Sequence, residues 1–239
     1  MNNSIEETIE DLLKKAFERI IGIYPGYAKL GSPCQTTNPK ALLAFPAYYN
    51  GIKKEKPRIS EQEMRFLFIE TILEEKPPAL CHYAIEAPTE KCYKFSGGIT
   101  DSPVSTGGRS ASIDVCLYFK NPARPEGEDY VKAYIEFKAG NPAPKSIAIK
   151  KDFLKLLQDA EGMENYFVHI VESGDDYTLM SIREKYAEAI ERAVKPPFLS
   201  NLTVFLLFLN QGRHGLYRFS IYNPKAKPAL QTEAKESLL

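Results

Sequence analysis

Asp114, Glu136 and Lys138 are the residues whose types and spacing suit chemistry, because each stands at a polar position of an alternating segment. In "SASIDVCLYF", Ala111, Ile113, Val115, Leu117 and Phe119 alternate with Ser110, Ser112, Asp114, Cys116 and Tyr118. In "VKAYIEFK", Val131, Ala133, Ile135 and Phe137 alternate with Lys132, Tyr134, Glu136 and Lys138. A period of two reads as a strand with one apolar face. The intervening "KNPARPEGEDY" has the prolines and glycine of a hairpin loop. A turn centred near Pro125 sets Phe119 opposite Val131 and Asp114 opposite Glu136. A slip of one residue would turn an apolar face out of the core, so the two carboxylates and Lys138 share a side.

Like charges facing each other across a strand pair cost up to about 1 kcal/mol. A hard divalent cation offsets that repulsion. Mg²⁺ is usually held by one or two carboxylates, keeping waters and contacting substrate phosphate. An ammonium beside it can orient an attacking water and neutralise charge growing on a phosphoryl oxygen. The combination suits phosphodiester hydrolysis.

The elements that must position these residues follow from caps and periodicity. Ser4 with Glu7 makes a capping box, and Ile5, Ile9, Leu12, Leu13, Ala16 and Ile20 recur at helical spacing up to about Gly22. Residues 23–59 carry five prolines and read as a long connector, with a helical turn around "NPKALLAF". Ser60 with Glu63 opens a second helix, with Met64, Leu67, Phe68 and Ile72 on its buried face and Pro77 and Pro78 stopping it. "HYAIEAPTEKCYKF" reads as a strand or hairpin, and "SGGITDSPVSTGGRS" as a loop. After Gly140 come a helix from about Ser146 to near Gly162, the strand "YFVHIVE" and the amphipathic helix "TLMSIREKYAEAIERAV". The strands "LTVFLLFLN" and "GLYRFSIY" flank the turn "QGRH", and the tail from Asn223 is polar enough to be expected partly disordered. The reading is one domain, α/β bordering on α+β: a mixed sheet flanked by helices, with an N-terminal helix and a C-terminal helix-plus-hairpin addition over 173–222.

Composition excludes several function classes. Lysine plus arginine equals aspartate plus glutamate at 31 each, so no global basic field draws the chain to nucleic acid or an anionic membrane. Cys34, Cys81, Cys92 and Cys116 contain no C-x-x-C pair, and His82, His169 and His214 have no zinc spacing. The acidic start "MNNSIEETIEDLL" lacks the features of a secretory signal, which predicts a cytoplasmic protein with reduced thiols. Cys116 and His169 lie in apolar strands and are expected in the core. No triad, phosphate loop or dinucleotide fingerprint is present.

Asp114 followed by Glu136-Phe137-Lys138 on an alternating strand resembles the PD-(D/E)-x-K nuclease superfamily, over about Ser60 to Glu172. That resemblance implies a restriction-endonuclease-like fold: a helix, a strand hairpin bearing the Asp and the Glu-x-Lys, then a helix and a strand. It implies that Asp114 and Glu136 ligate Mg²⁺ or Mn²⁺ with the backbone carbonyl of Phe137, and that Lys138 assists the water. Members often add a carboxylate from the first helix; Glu63 is preferred here, with Glu61 second. Ile113 stands where the family name has Pro, a position that sets backbone shape. Two further Glu-x-Lys triplets, at Glu74 and Glu233, lack an alternating strand and a partner carboxylate.

Lys145, Lys150, Lys151 and Lys155 follow Lys138 against Asp152 alone, a local basic patch suited to phosphates. Arg109 in "STGGRSAS" is a second candidate contact. Lys150, Lys151 and Lys155 read equally well as the solvated face of an amphipathic helix, and "STGGRSAS" as a plain turn. Tyr83, Tyr93 and Phe95 suggest base stacking but suit packing better. The expectation is therefore a nuclease acting on DNA rather than RNA, in restriction, repair or defence, with a homodimer needed to cut a duplex. The alternative is a catalytically inactive nucleic-acid-binding or assembly module of the same fold.

Overall fold

The computed structural model describes residues 4–23, 43, 45, 47–49, 55–57, 59–95, 103–123, 129–141, 147–159, 164–172, 176–193, 200–209, 215–221 and 231–236. Helix α1 (Ile5–Ile23) starts at a complete capping box: the Ser4 N–H donates to Glu7 Oε2 at 2.8 Å and the Glu7 N–H to Ser4 Oγ at 3.1 Å. Its spacing of Ile9, Leu12, Leu13, Ala16, Phe17 and Ile20 makes one buried stripe. Helix α2 (Glu61–Glu75) packs along it through Met64, Leu67, Phe68 and Ile72. It ends at Lys76 in a left-handed turn, φ 46, whose N–H caps Ile72 O at 2.9 Å. The prolines 77 and 78 then forbid continuation.

Between α1 and α2 the chain forms a short antiparallel pair, β1 (Ala47–Tyr49) and β2 (Glu55–Pro57), where the sequence predicts only a connector. Most of the "NPKALLAF" turn lies outside the described residues. The larger sheet has seven strands among the described residues: β3 (Leu80–Tyr93), β4 (Arg109–Lys120), β5 (Tyr130–Ala139), β6 (Glu164–Glu172), β7 (Asn201–Leu209), β8 (Gly215–Ile221) and β9 (Gln231–Glu236), adjacent in that order. The pairs β5–β6 and β6–β7 are parallel and the others antiparallel. Parallel neighbours need crossovers, which α3 (Ile147–Gln158) and α4 (Asp176–Ala193) supply. The α/β class follows. Within the tail, β9 extends the ladder of β8, which polarity of sequence does not forbid at a sheet edge.

Helices α1 and α2 cover one face of the sheet and α3 and α4 the other. Strands β6 and β7 are thus buried on both sides, which explains the runs "YFVHIV" and "LTVFLLFL", apolar but for His169 and Thr203. The same cover changes the reading of β4 and β5. Their second face, with Cys116, Tyr134 and Glu136, is no solvated surface but lies beneath α3. Among the described residues no helix is long and apolar enough to cross a membrane.

Gly140 ends β5 at φ +80, a left-handed conformation that L side chains disfavour. Its N–H donates to Ile170 O at 2.8 Å and its carbonyl accepts His169 Nε2–H at 2.7 Å. A Cβ there would meet nothing within 4 Å, so the cost of Gly140→Ala is conformational. Urea unfolding is expected to show a loss of about 1–2 kcal/mol.

Candidate active site

The β4–β5 register is the one the sequence predicts as far as it runs, from Lys120 opposite Tyr130 to Val115 opposite Ile135. There the ladder stops, and the next residues are Asp114 and Glu136. Val115, Leu117 and Phe119 face α1 and α2, whereas Ile113 packs in the α3–α4 layer, so β4 changes face at Asp114. On β3, Glu86 lies between the pairs Ile85–Val115 and Ala87–Ile113 and has φ 54. A non-glycine residue held there stores strain of about 1–3 kcal/mol, and such residues cluster at functional sites. The sheet is distorted where its carboxylates collect.

The opening is filled by hydrogen bonds to the sheet and by charges from α2 and α3. Asp114 Oδ2 accepts the Phe137 N–H at 2.8 Å, and Arg65 of α2 bridges Asp114, at 3.5 Å, and Glu86. Glu136 is 4% exposed, with Oε1 at 2.5 Å from Lys155 Nζ of α3. The same ammonium reaches Ser112 O at 2.9 Å and Asp152 Oδ1 at 3.2 Å. Lys138 Nζ lies 3.9 Å from Asp152 Oδ2 and 2.9 Å from Glu61 Oε1.

These charges shift one another. Burial pushes Asp114 above the usual carboxylate range, against the pull of the Phe137 N–H. Glu136 is raised well above it by burial and by the charges of Asp152 and Asp114. Asp152 is raised by burial. For Lys138 and Lys155 burial favours losing the proton, yet the surrounding carboxylates overcome it and raise both. Glu86, hydrogen-bonded by Arg65 and Ser112, is lowered. Within the site the carboxylates Asp114, Glu136 and Asp152 thus share the cations Arg65, Lys138 and Lys155.

The structure brings Asp114, Glu136 and Lys138 together. It does not bring Glu63, whose Oε2 accepts the Ser60 N–H at 3.0 Å and so serves the start of α2. The α2 carboxylate at the site is Glu61, the less favoured choice. Phe137 turns its ring into the core against Phe68, 5.7 Å between centres, and only its backbone borders the site. Lys155 corrects the solvated-face reading, being 7% exposed. Lys150 is half-buried on α3, Lys151 and Arg109 line one cavity beside the site, and Lys145 lies outside the described residues.

Sequence reasoning missed Arg65, Glu86 and Asp152 as site residues and placed Lys155 only in a basic patch or on a solvated helix face. A signal existed on α3: Asp152 and Lys155 follow Ile149 at spacings of three, flanking the apolar Phe153 and Leu156. Arg65 carries no such mark. His169 is the core histidine expected, fully buried, donating through Nε2–H to Gly140 and accepting the Tyr186 O–H on Nδ1 at 2.6 Å. Burial lowers its pKa from 6.5 to about 4. A histidine depressed in the folded state contributes stability that is complete above pH 6.5 and is lost as pH falls toward 4. The amount is roughly 3 kcal/mol. An NMR titration of His169 is expected to show a midpoint near 4, and His169→Gln is expected to lose that part of the acid sensitivity.

No protein-family model matches the chain, and no curated protein is significantly similar to it. Among the described residues no three His, Cys, Asp or Glu side chains group closely enough to cage a metal. A cation of the Mg²⁺ kind needs only one or two carboxylates from the protein.

Proposed function

We propose that the chain is a metal-dependent nuclease of restriction-endonuclease-like fold that hydrolyses phosphodiester bonds, DNA being the favoured substrate. The observation that carries this reading is the meeting of Asp114, Glu136 and Lys138 at the point where β4 and β5 part. The order α2, β4, β5, α3, β6 supports it, being the helix, hairpin, helix and strand that the resemblance implies, with β3 inserted before the hairpin. Asp114 and Glu136, with the Phe137 carbonyl, would hold Mg²⁺ or Mn²⁺.

The donors are hard oxygens, which suit such an ion. Lys155 acts as a stand-in: its ammonium sits among oxygens of Glu136, Asp152 and Ser112, which therefore already converge on positive charge. A divalent cation held by Asp114, Glu136 and the Phe137 carbonyl would acidify water and offset charge on the phosphoryl oxygen. The chain's own residues do the rest. Lys138, kept protonated by Asp152 and Glu61, is a fixed positive charge for a phosphate oxygen rather than a base. Asp114, tied to the Phe137 N–H, fixes the backbone from which Glu136 and Lys138 project. Arg65 braces that carboxylate from α2.

A second reading, the non-catalytic module, is favoured by one observation: Lys155 already supplies Glu136 with a cation. Incubating labelled single-stranded and duplex DNA and RNA with Mg²⁺, Mn²⁺ or EDTA separates the two. Metal-dependent cutting, lost in Asp114→Asn and Lys138→Met, supports the nuclease. No cutting of any substrate, with no Mn²⁺ uptake by calorimetry, supports the module.

A further inference from the structure

A groove beside the site holds side chains that hydrolysis does not use. Its inner part, about 510 Å³, is walled by Glu86, Ser112, Asp152 and Lys155, so it opens onto the residues that surround Glu136. Its outer part, about 440 Å³, is lined by Tyr93, Lys94 and Gly108. Phe95, Arg109 and Lys151 line both and join them. The volumes are those of clefts for small ligands, ample for one or two unpaired nucleotides and too small for a duplex.

The excess of positive charge falls along this path. Among the described residues the outer lining has the cations Lys94, Arg109 and Lys151 and no carboxylate; in the inner lining Glu86 and Asp152 offset most of the charge of Arg109, Lys151 and Lys155. Phosphates are therefore drawn to the outer part. Between the two lies an aromatic platform. Phe95 is half-buried and stacks on the buried Tyr93, with ring centres 5.5 Å apart and planes at 7°. Lys151 Nζ stands 5.0 Å from the centre of the Phe95 ring, where a flexible ammonium can give way to a base and move to the adjoining phosphate. Gly108 lets the 103–108 segment close against β3: a Cβ there would stand 2.9 Å from Tyr93 O.

We propose that this groove binds an unpaired nucleic-acid strand, one base lying on Phe95 and the flanking phosphates on Lys94, Arg109 and Lys151, and leads the strand toward Glu136 and Lys138. A base stacked within a duplex cannot offer its face to Phe95. The destination of the strand rests on the nuclease reading; its binding does not.

The test is fluorescence anisotropy of short labelled single-stranded DNA, single-stranded RNA and blunt duplex DNA in EDTA, so that no cutting intervenes. Either single strand is expected to bind at least about 10-fold tighter than the duplex, and the preferred sugar names the substrate. Phe95→Leu, which keeps an apolar side chain but no aromatic face, is expected to weaken binding roughly 5- to 150-fold, and Phe95→Tyr to restore it. Lys151→Gln is expected to reduce the salt slope by about 0.7. Equal affinity for duplex and single strands, or wild-type affinity in Phe95→Leu, overturns the groove. Strand binding intact in a protein that cuts nothing removes the nuclease and leaves the groove; metal-dependent cutting unaffected by Phe95→Leu does the reverse.

Discussion

Asp114→Asn is expected to remove metal-dependent cleavage while leaving the protein as stable as before, or slightly more so. The asparagine Oδ1 can still accept the Phe137 N–H that Asp114 accepts at 2.8 Å. What is lost is a charge that burial already disfavours. Loss of a group that merely supports a metal ligand typically costs 10–100-fold in metal affinity or activity, and a ligand itself is expected to cost more than about 100-fold. Lys138→Met is expected to lower the turnover rate by about 10²–10³-fold, as does removal of a fixed charge stabiliser from other sites, with Mn²⁺ binding retained. Calorimetry with Mn²⁺, cleavage rates and urea unfolding on the same samples separate the two roles. Parallel losses of cleavage and stability in Asp114→Asn would make Asp114 a structural residue.

Lys155→Met is expected to destabilise the fold by roughly 3–5 kcal/mol, the usual cost of stripping one partner from a buried ion pair. Glu136 and Asp152, at 4% and 9% exposure, would lose their closest cation. The double variant Glu136→Gln, Lys155→Met is expected to recover most of that loss, since a neutral amide needs no counter-charge. The pH dependence has a definite sign. Glu136 is raised above its ordinary 4.5, so its protonated form favours the fold: that stability is complete below 4.5 and lost as pH rises through the folded value. Removing Lys155 raises that folded value further. The stability gap between wild type and Lys155→Met is therefore expected to widen with rising pH, in urea titrations read against wild type so that His169 cancels. A gap that stayed constant with pH would mean that Lys155 contributes packing alone.

The same ammonium bears on both readings of function. In the nuclease, the oxygens that Lys155 gathers are those beside which a divalent cation would sit, and the Asp114→Asn and Lys155→Met results are linked through Glu136. In the non-catalytic module, Lys155 is the site's permanent cation, Mn²⁺ uptake is absent, and the stability results stand unchanged.

Some of this was legible in residues alone. Helix starts at Ser4 and Ser60 are local chemistry, a side chain answering a backbone N–H three residues away, and both lie where the caps predict. The pairing of Val115–Lys120 with Tyr130–Ile135 follows from the period of two and the hairpin between the strands, because any other register exposes Val115, Leu117, Ile135 and Phe137; the change of face at Asp114 does not. Even the histidine was readable, since apolar neighbours on both sides of His169 leave it nowhere but the core. What only tertiary structure decided is which charges meet across helices and sheet. Glu61 rather than Glu63 reaches Lys138 because the cap claims the second carboxylate. Lys155 is an internal counter-ion because α3 docks on the polar face of β4 and β5. Arg65 joins Asp114 because β4 departs from β5 there. Periodicity reports which side of one element is buried; it carries nothing about the distance between two elements far apart in the chain, and at such a site that distance sets the charge balance.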